Sequence, residues 1–181
     1  GVAFFALYTA HVKDGLVDFH HRGEDDDHPL TRRGCHLALA GSTALSFLGA
    51  AALGVLVDPV AVLLTLPGWL VAALHAPQLA PNPFGATLGY PVGIGFALLG
   101  GYYVQARGLS TAAVAFAVVF VVVLAGIKVI DDTTDYDYDR SVEKRTVAVV
   151  LGPAAARHLA TGLMTAGEGP AIPPEDPASR G

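Results

Sequence analysis

The sequence predicts an all-α fold, a multi-pass transmembrane helical bundle incomplete at both ends. Four stretches of 17 to 23 residues, Cys35–Val57, Val60–Ala76, Ala86–Ala106 and Leu109–Ile127, carry no Asp, Glu, Lys or Arg. A helix needs about 20 apolar residues to cross a bilayer. Turn signals alone separate these stretches: Asp58-Pro59, the Pro-rich Pro77–Gly85, and Arg107-Gly108. The chain is 52% hydrophobic and 15% charged, with mean hydropathy +0.50. An ordinary soluble domain carries about 25% charged residues.

In chain order, Gly1–Val12 is almost wholly apolar. As a helix it would reach only about 18 Å of a roughly 30 Å hydrocarbon core, so it reads as the tail of a spanning helix. Lys13–Gly34 reads as a polar loop, followed by the span Cys35–Val57. Pro67-Gly68 is expected to kink the second span. In the third, Gly85, Gly89 and Gly93 stand four residues apart, which would let a neighbouring helix approach closely. Leu109–Ile127 is the fourth span, and a second polar stretch, Asp131–Gly152, follows. Pro153–Ala166 begins another apolar helix that stops after about four turns. Residues 1–166 are thus expected to form a partial transmembrane domain. Residues 167–181 are expected to be a disordered Pro- and Gly-rich tail.

Charge adds a topology. Twelve of the 16 acidic residues lie in Asp14–Asp27 and Asp131–Glu143. An even number of crossings separates these windows, which puts both at one membrane face. Lys13, Arg22, Arg32, Arg33, Lys128, Arg140, Lys144 and Arg145 fall at that face, against Arg107 at the other. The positive-inside rule makes the acidic face cytoplasmic, in a plasma-membrane protein. Without a broad basic stripe, no nucleic-acid partner is expected. Cys35 is the one cysteine, so no intrachain disulfide can form.

The second acidic window reads D-D-T-T-D-Y-D-Y-D-R-S-V-E-K-R-T. Asp131, Asp135 and Asp139 recur every fourth residue, a spacing that stacks three carboxylates on one helix face. Like charges so placed repel unless a cation lies among them, and hard carboxylate oxygens suit Mg²⁺. Arg140, Lys144 and Arg145 follow at once, so acid, metal and base together suggest a diphosphate held through Mg²⁺. A calcium loop fits poorly, because Arg140 sits where the sharp turn needs Gly.

This window resembles the second Asp-rich motif of the UbiA family of intramembrane prenyltransferases. Quinone-pathway members often read N-x-x-R-D-x-x-x-D-R-x-x-G-K-R-T-L-x-V-x-L-G. Asp135, Asp139, Arg140, Lys144, Arg145, Thr146, Val149, Leu151 and Gly152 correspond, with Asp131 or Asp132 near the Asn and Glu143 replacing a Gly. Leu88–Ser110 is similar to a region of the menaquinone-pathway branch. Asp14 and Asp18 resemble part of the family's first motif, N-D-x-x-D-x-x-x-D, with Arg22 at a third acid's place. His28-Pro29-Leu30 and Gly34 resemble the element that follows it.

The resemblance implies a UbiA-like fold and transfer of a polyprenyl group from its diphosphate to an aromatic or other lipid-soluble acceptor, a quinone precursor favoured. It implies Mg²⁺ held by Asp14, Asp18, Asp131, Asp135 and Asp139, with Asp135 and Asp139 as catalytic residues. Arg22, Lys144 and Arg145 would pair with phosphate oxygens, and the prenyl tail would lie between helices or in membrane lipid. Family members have about nine spans, so this stretch alone is expected to be inactive. His20, His21 and His28 read as solvated loop residues, with base or metal-ligand roles open. His75 reads as an interfacial or packing residue, and Tyr102 and Tyr103 as an aromatic belt or bundle packing, with a cation-stabilising pocket as the alternative. A divalent-cation transporter and another membrane transferase acting on diphosphate lipids stay open as alternatives.

Overall fold

A computed structural model describes residues 1–23, 28–79, 81–142 and 144–168, apart from the side chains of residues 22, 77 and 168. Among the described residues eight α-helices account for the architecture: α1 (Val2–Val17), α2 (Arg32–Leu56), α3 (Pro59–Leu74), α4 (Pro83–Ala106), α5 (Thr111–Thr134), α6 (Tyr136–Ser141), α7 (Val147–Leu151) and α8 (Pro153–Glu168). Among the described residues there is no strand. Helix α1 packs on α2 and α3, α4 on α3, α5 on α4, and α8 on α5.

The starts of these helices are written in the sequence. Asp58 Oδ1 accepts hydrogen bonds from the amides of Val60 and Ala61 (2.7 and 3.1 Å), with Pro59 in the first helical position. Asn82 Oδ1 caps α4 in the same way through Phe84 and Gly85, ahead of Pro83. Thr31, Ser110 and Thr146 cap α2, α5 and α7. Each side-chain oxygen satisfies an amide that the first helical turn leaves without an internal partner.

Burial runs opposite to that of a water-soluble bundle. Most of the fully buried positions are small, Ala61, Ala148, Ala156, Ala160, Cys35 and Ser46 among them, with Val129, Pro91 and Asp132 the larger ones. The outward faces carry Leu37, Leu48, Val55, Leu63 and Phe116, each more than half exposed. Lipid tails are as apolar as leucine, so membrane helices bring small residues to their contacts and turn large apolar ones outward. Helices α2, α4 and α5 are long and apolar enough to cross a membrane.

The expected second span is the exception. Helix α3 has 16 residues, about 24 Å of rise, short of the length that a perpendicular crossing needs. Its start is fixed by the Asp58 cap, and extended dihedrals at Ala76 (φ −113°, ψ 133°) break the helical path after Leu74. It nevertheless carries the chain from one end of the bundle to the other. At the far end, Tyr103 Oη donates to Asp58 Oδ2 (2.7 Å) and Arg107 Nη2 donates to the Leu56 carbonyl (3.1 Å). At the near end, Lys13 Nζ donates to the Ala73 carbonyl and to Gln78 Oε1.

Three boundaries differ from expectation. Lys13–Gly34 is not a loop throughout: α1 continues to Val17 and a wide helical turn covers Asp18–Arg22. Val12, Leu16 and Val17 are buried and extend the apolar face past Lys13. Helix α4 begins inside the Pro-rich connection, and α5 runs past Lys128, Asp131 and Asp132. Gly167 and Glu168 still belong to α8, whereas the rest of the expected tail, 169–181, lies outside the described residues.

Glycines set the closest helix contacts. A Cβ at Gly126 would meet Met164 Cγ at 2.8 Å and the Ala160 carbonyl oxygen at 3.1 Å. Backbone cannot yield as a flexible side chain does, so Gly126→Leu is expected to push α8 off α5. Overpacking of this kind costs about 1–3 kcal/mol. A lowered midpoint of thermal unfolding in detergent, relative to Gly101→Leu, is the expected result; Gly101 has no atom within 4 Å of a built Cβ.

Candidate functional site

Two acidic segments meet at the near end of the bundle. Asp14 and Asp18, one turn apart at the end of α1, face one recess with Asp135 and Asp139. Lys144, Lys128, Asp132, His75 and Thr146 complete its polar lining. The recess has a volume of about 160 Å³. A second cavity of about 860 Å³ adjoins it, walled by α1, α3 and α4 and lined mainly by Ala, Val, Leu and Gly. Asp14, His75 and Lys128 line both, so the acidic recess opens onto the apolar cavity.

The three-carboxylate stack does not form as the spacing predicts. Helix α5 ends at Thr134, and Asp135 adopts φ −94°, ψ 13° before α6 begins at Tyr136. The bend rotates the frame between Asp131 and Asp135. Asp132 consequently takes the place in the recess expected of Asp131. Asp131 lies on the wall of the apolar cavity instead, its side chain 65% exposed.

Asp132 is 1% exposed. Lys128, one turn earlier, is its close ion-pair partner, and Thr87 Oγ1 on α4 donates to Asp132 Oδ2 at 3.4 Å. Lys128 also reaches Asp131 Oδ2 at 3.5 Å. A buried charge is tolerated when it is paired and hydrogen-bonded. Asp139, 6% exposed, is held by the turn that follows: the Lys144 amide donates to the Asp139 carbonyl at 2.9 Å, returning the chain over α6. The Lys144 ammonium lies 5.3 Å from the centre of the Tyr138 ring, within cation–π range.

Of the basic residues expected at a diphosphate, Lys144 lines the recess. Arg145 is exposed and lines neither cavity. The side chain of Arg22 lies outside the described residues. Sequence reasoning gave Lys128, Asp132, His75 and Thr146 no role in metal or phosphate binding. The Lys128–Asp132 spacing is a readable signal, since opposite charges four residues apart share a helix face. His75 offered none: it stands alone in an apolar run and reaches the recess because α3 ends there.

Desolvation pushes the Asp139 carboxyl above its ordinary range; Lys144 opposes this and Asp132 adds to it. A raised carboxyl pKa means that the metal-free fold gains stability as the pH falls through that value and loses it as the group ionises. A cation at these oxygens has the reverse requirement, because it displaces the proton. Affinity for Mn²⁺ or Mg²⁺ is therefore expected to fall on acidification, beginning above the usual carboxylate range. Titrations across mildly acidic to neutral pH check this, and a flat profile would contradict it.

The donor set fits a hard divalent cation. Five carboxylates line a recess in which Lys128 and Lys144 are the lysines, and carboxylate oxygens are the ligands that Mg²⁺ takes. The family model of the UbiA prenyltransferase family matches residues 20–170. The chain belongs to the UbiA prenyltransferase family. Neither a curated protein nor a solved structure matches it. UbiA membership implies a membrane prenyltransferase, in accord with the three membrane-length helices and the outward-facing apolar side chains.

Proposed function

We propose that this protein transfers a polyprenyl group from its diphosphate to an aromatic, quinone-pathway acceptor in a Mg²⁺-dependent reaction. The observation that carries the reading is the meeting of Asp14 and Asp18 with Asp135 and Asp139 in a recess that opens onto an apolar cavity. Those four carboxylates would hold the cation, with Asp132 beside them and Asp131 on the wall of the apolar cavity. Mg²⁺ held by these carboxylates would supply charge to offset that developing on the departing diphosphate. Lys144 and Lys128 face the phosphate oxygens from the recess, Arg145 acts from outside it, and Arg22 is a further proposed phosphate partner. The apolar cavity takes the prenyl tail and keeps water from the allylic cation. The bias of lysine and arginine supports a cytoplasmic orientation of the acidic end, in a plasma-membrane protein.

The test is reconstitution of the full-length gene product, here and for the variants below, in lipid vesicles with a labelled prenyl diphosphate and a panel of acceptors: phenolic and naphthoic quinone precursors, a haem and a glycerol-phosphate lipid. Mass spectrometry identifies the product. Mg²⁺-dependent prenylation of a quinone precursor is expected. Full transfer in excess EDTA would overturn the metal dependence, and exclusive prenylation of another acceptor would overturn the quinone assignment.

A further inference from the structure

A second cluster of ligating side chains lies outside the acidic recess. His20, His28 and Cys35 bring one ligand atom each to a common point, all within 4.8 Å of one another. They come from the wide turn after α1, the segment before α2 and the first turn of α2. Cys35 is fully buried and both imidazoles are partly buried.

The Leu30 carbonyl sits among them. His20 Nε2 lies 3.0 Å from that oxygen, His28 Nδ1 2.9 Å and Cys35 Sγ 4.0 Å. A carbonyl has two lone pairs, so it accepts from at most two of the three. His28 Nδ1 is also 3.1 Å from the Leu30 amide. One ring nitrogen cannot accept from that amide and donate to the neighbouring carbonyl at once. A cation at the centre would take an imidazole lone pair from each histidine, the thiolate and the carbonyl oxygen, in exchange for the Leu30 amide's hydrogen bond to His28 Nδ1.

The surroundings hold the cluster in place. A Cβ at residue 15 would collide with His28 Nε2, so only glycine on α1 leaves room for this imidazole. Phe19 stacks on the His28 ring with centroids 5.6 Å apart and meets His20 edge-on at 4.8 Å. Leu30 and Cys35 join Val12 and Leu16 in an apolar cluster that shields the point from water.

The geometry points to a structural transition-metal site of the zinc type, with His20, His28 and Cys35 as ligands. Imidazole and thiolate together select a borderline-soft ion over Mg²⁺. Tetrahedral Zn–N and Zn–S bonds place ligand atoms roughly 3.3–3.8 Å apart, so the cluster closes by about 1 Å around the ion. Binding releases the Cys35 thiol proton to solvent. The site ties the turn after α1 to α2, with His20 two residues from Asp18 and six from Asp14, and so braces the half of the acidic recess that the end of α1 supplies. It does not depend on the prenyltransferase reading.

Cobalt distinguishes this site from the acidic recess, because carboxylates give no thiolate-to-cobalt charge-transfer band. The full chain, purified in detergent and stripped with chelator, is titrated with Co²⁺ and then Zn²⁺. A charge-transfer band that saturates near one cobalt per chain and is displaced by Zn²⁺ is expected. Cys35→Ser should lose the band, and Gly15→Ala should weaken cobalt affinity about tenfold or more through His28. Asp139→Asn should keep it. Absence of the band in the folded wild-type chain would overturn the proposal, whatever the variants do. An unchanged band in Cys35→Ser would do the same.

Discussion

Asp139→Asn is expected to lower prenyl transfer by about 100-fold or more while leaving the protein at least as stable as the parent. The amide keeps the size of the carboxyl and removes its charge. Asp139 is nearly inaccessible, and its raised pKa has desolvation as the first cause. Ionised Asp139 therefore costs the metal-free fold free energy, which the neutral amide does not. The charge is useful only when a cation sits against it. Loss of activity together with unchanged or raised thermal stability would separate a site role from a packing role. Arg145→Ala supplies the contrast. It is exposed and outside both cavities, and a contact of that kind is worth about 1 kcal/mol or less, or roughly fivefold in rate. Initial rates at saturating Mg²⁺, with a thermal scan of each variant, decide. Transfer by Asp139→Asn within about tenfold of wild type, or about 1.4 kcal/mol, would remove Asp139 from the machinery.

The helices were legible because lipid imposes a simple requirement. Any crossing segment must be long, apolar and internally hydrogen-bonded, and Cys35–Val57 and Leu109–Ile127 state that plainly. The caps were equally local: Asp58-Pro59 and Asn82-Pro83 mark the starts of α3 and α4 through one side-chain oxygen each. Less legible was anything that depends on where a helix stops. The four-residue spacing of Asp131, Asp135 and Asp139 assumes a continuous helix. The bend at Asp135 breaks that assumption and exchanges Asp131 for Asp132 in the recess. Lys13 looked like the start of a loop because it is charged, yet its ammonium is accommodated by the Ala73 carbonyl at the end of α3, so α1 continues past it. His75 and Thr87 contribute through tertiary placement, and neither has a neighbour in sequence that announces it.

Gly93→Phe is expected to shorten the prenyl donor that the protein accepts. The apolar cavity runs from the acidic recess along α4, and Ala86, Gly93 and Ala97 mark successive depths beneath it. Seven residues separate Ala86 from Gly93, about 10 Å of helix, and eleven separate Ala86 from Ala97, about 16 Å. A Cβ built on Gly93 meets only Val71 Cγ1, at 3.8 Å. That is an ordinary van der Waals contact, so a larger side chain grows into the cavity rather than into a neighbouring helix. A ring there occupies the space that the tail of a long donor needs, while the diphosphate end is unaffected. Each buried methylene is worth about 0.8 kcal/mol, so displacing even two of them changes the preference between long and short donors by about tenfold. Ala97→Phe blocks at greater depth and should tolerate a donor one step longer than Gly93→Phe does. The measurement is kcat/KM for a series of prenyl diphosphates of increasing length with each variant. A graded cutoff, shorter for Gly93→Phe than for Ala97→Phe, identifies the cavity as the tail site. Identical length profiles in both variants and the parent would place the tail elsewhere, against the lipid-facing side of the bundle.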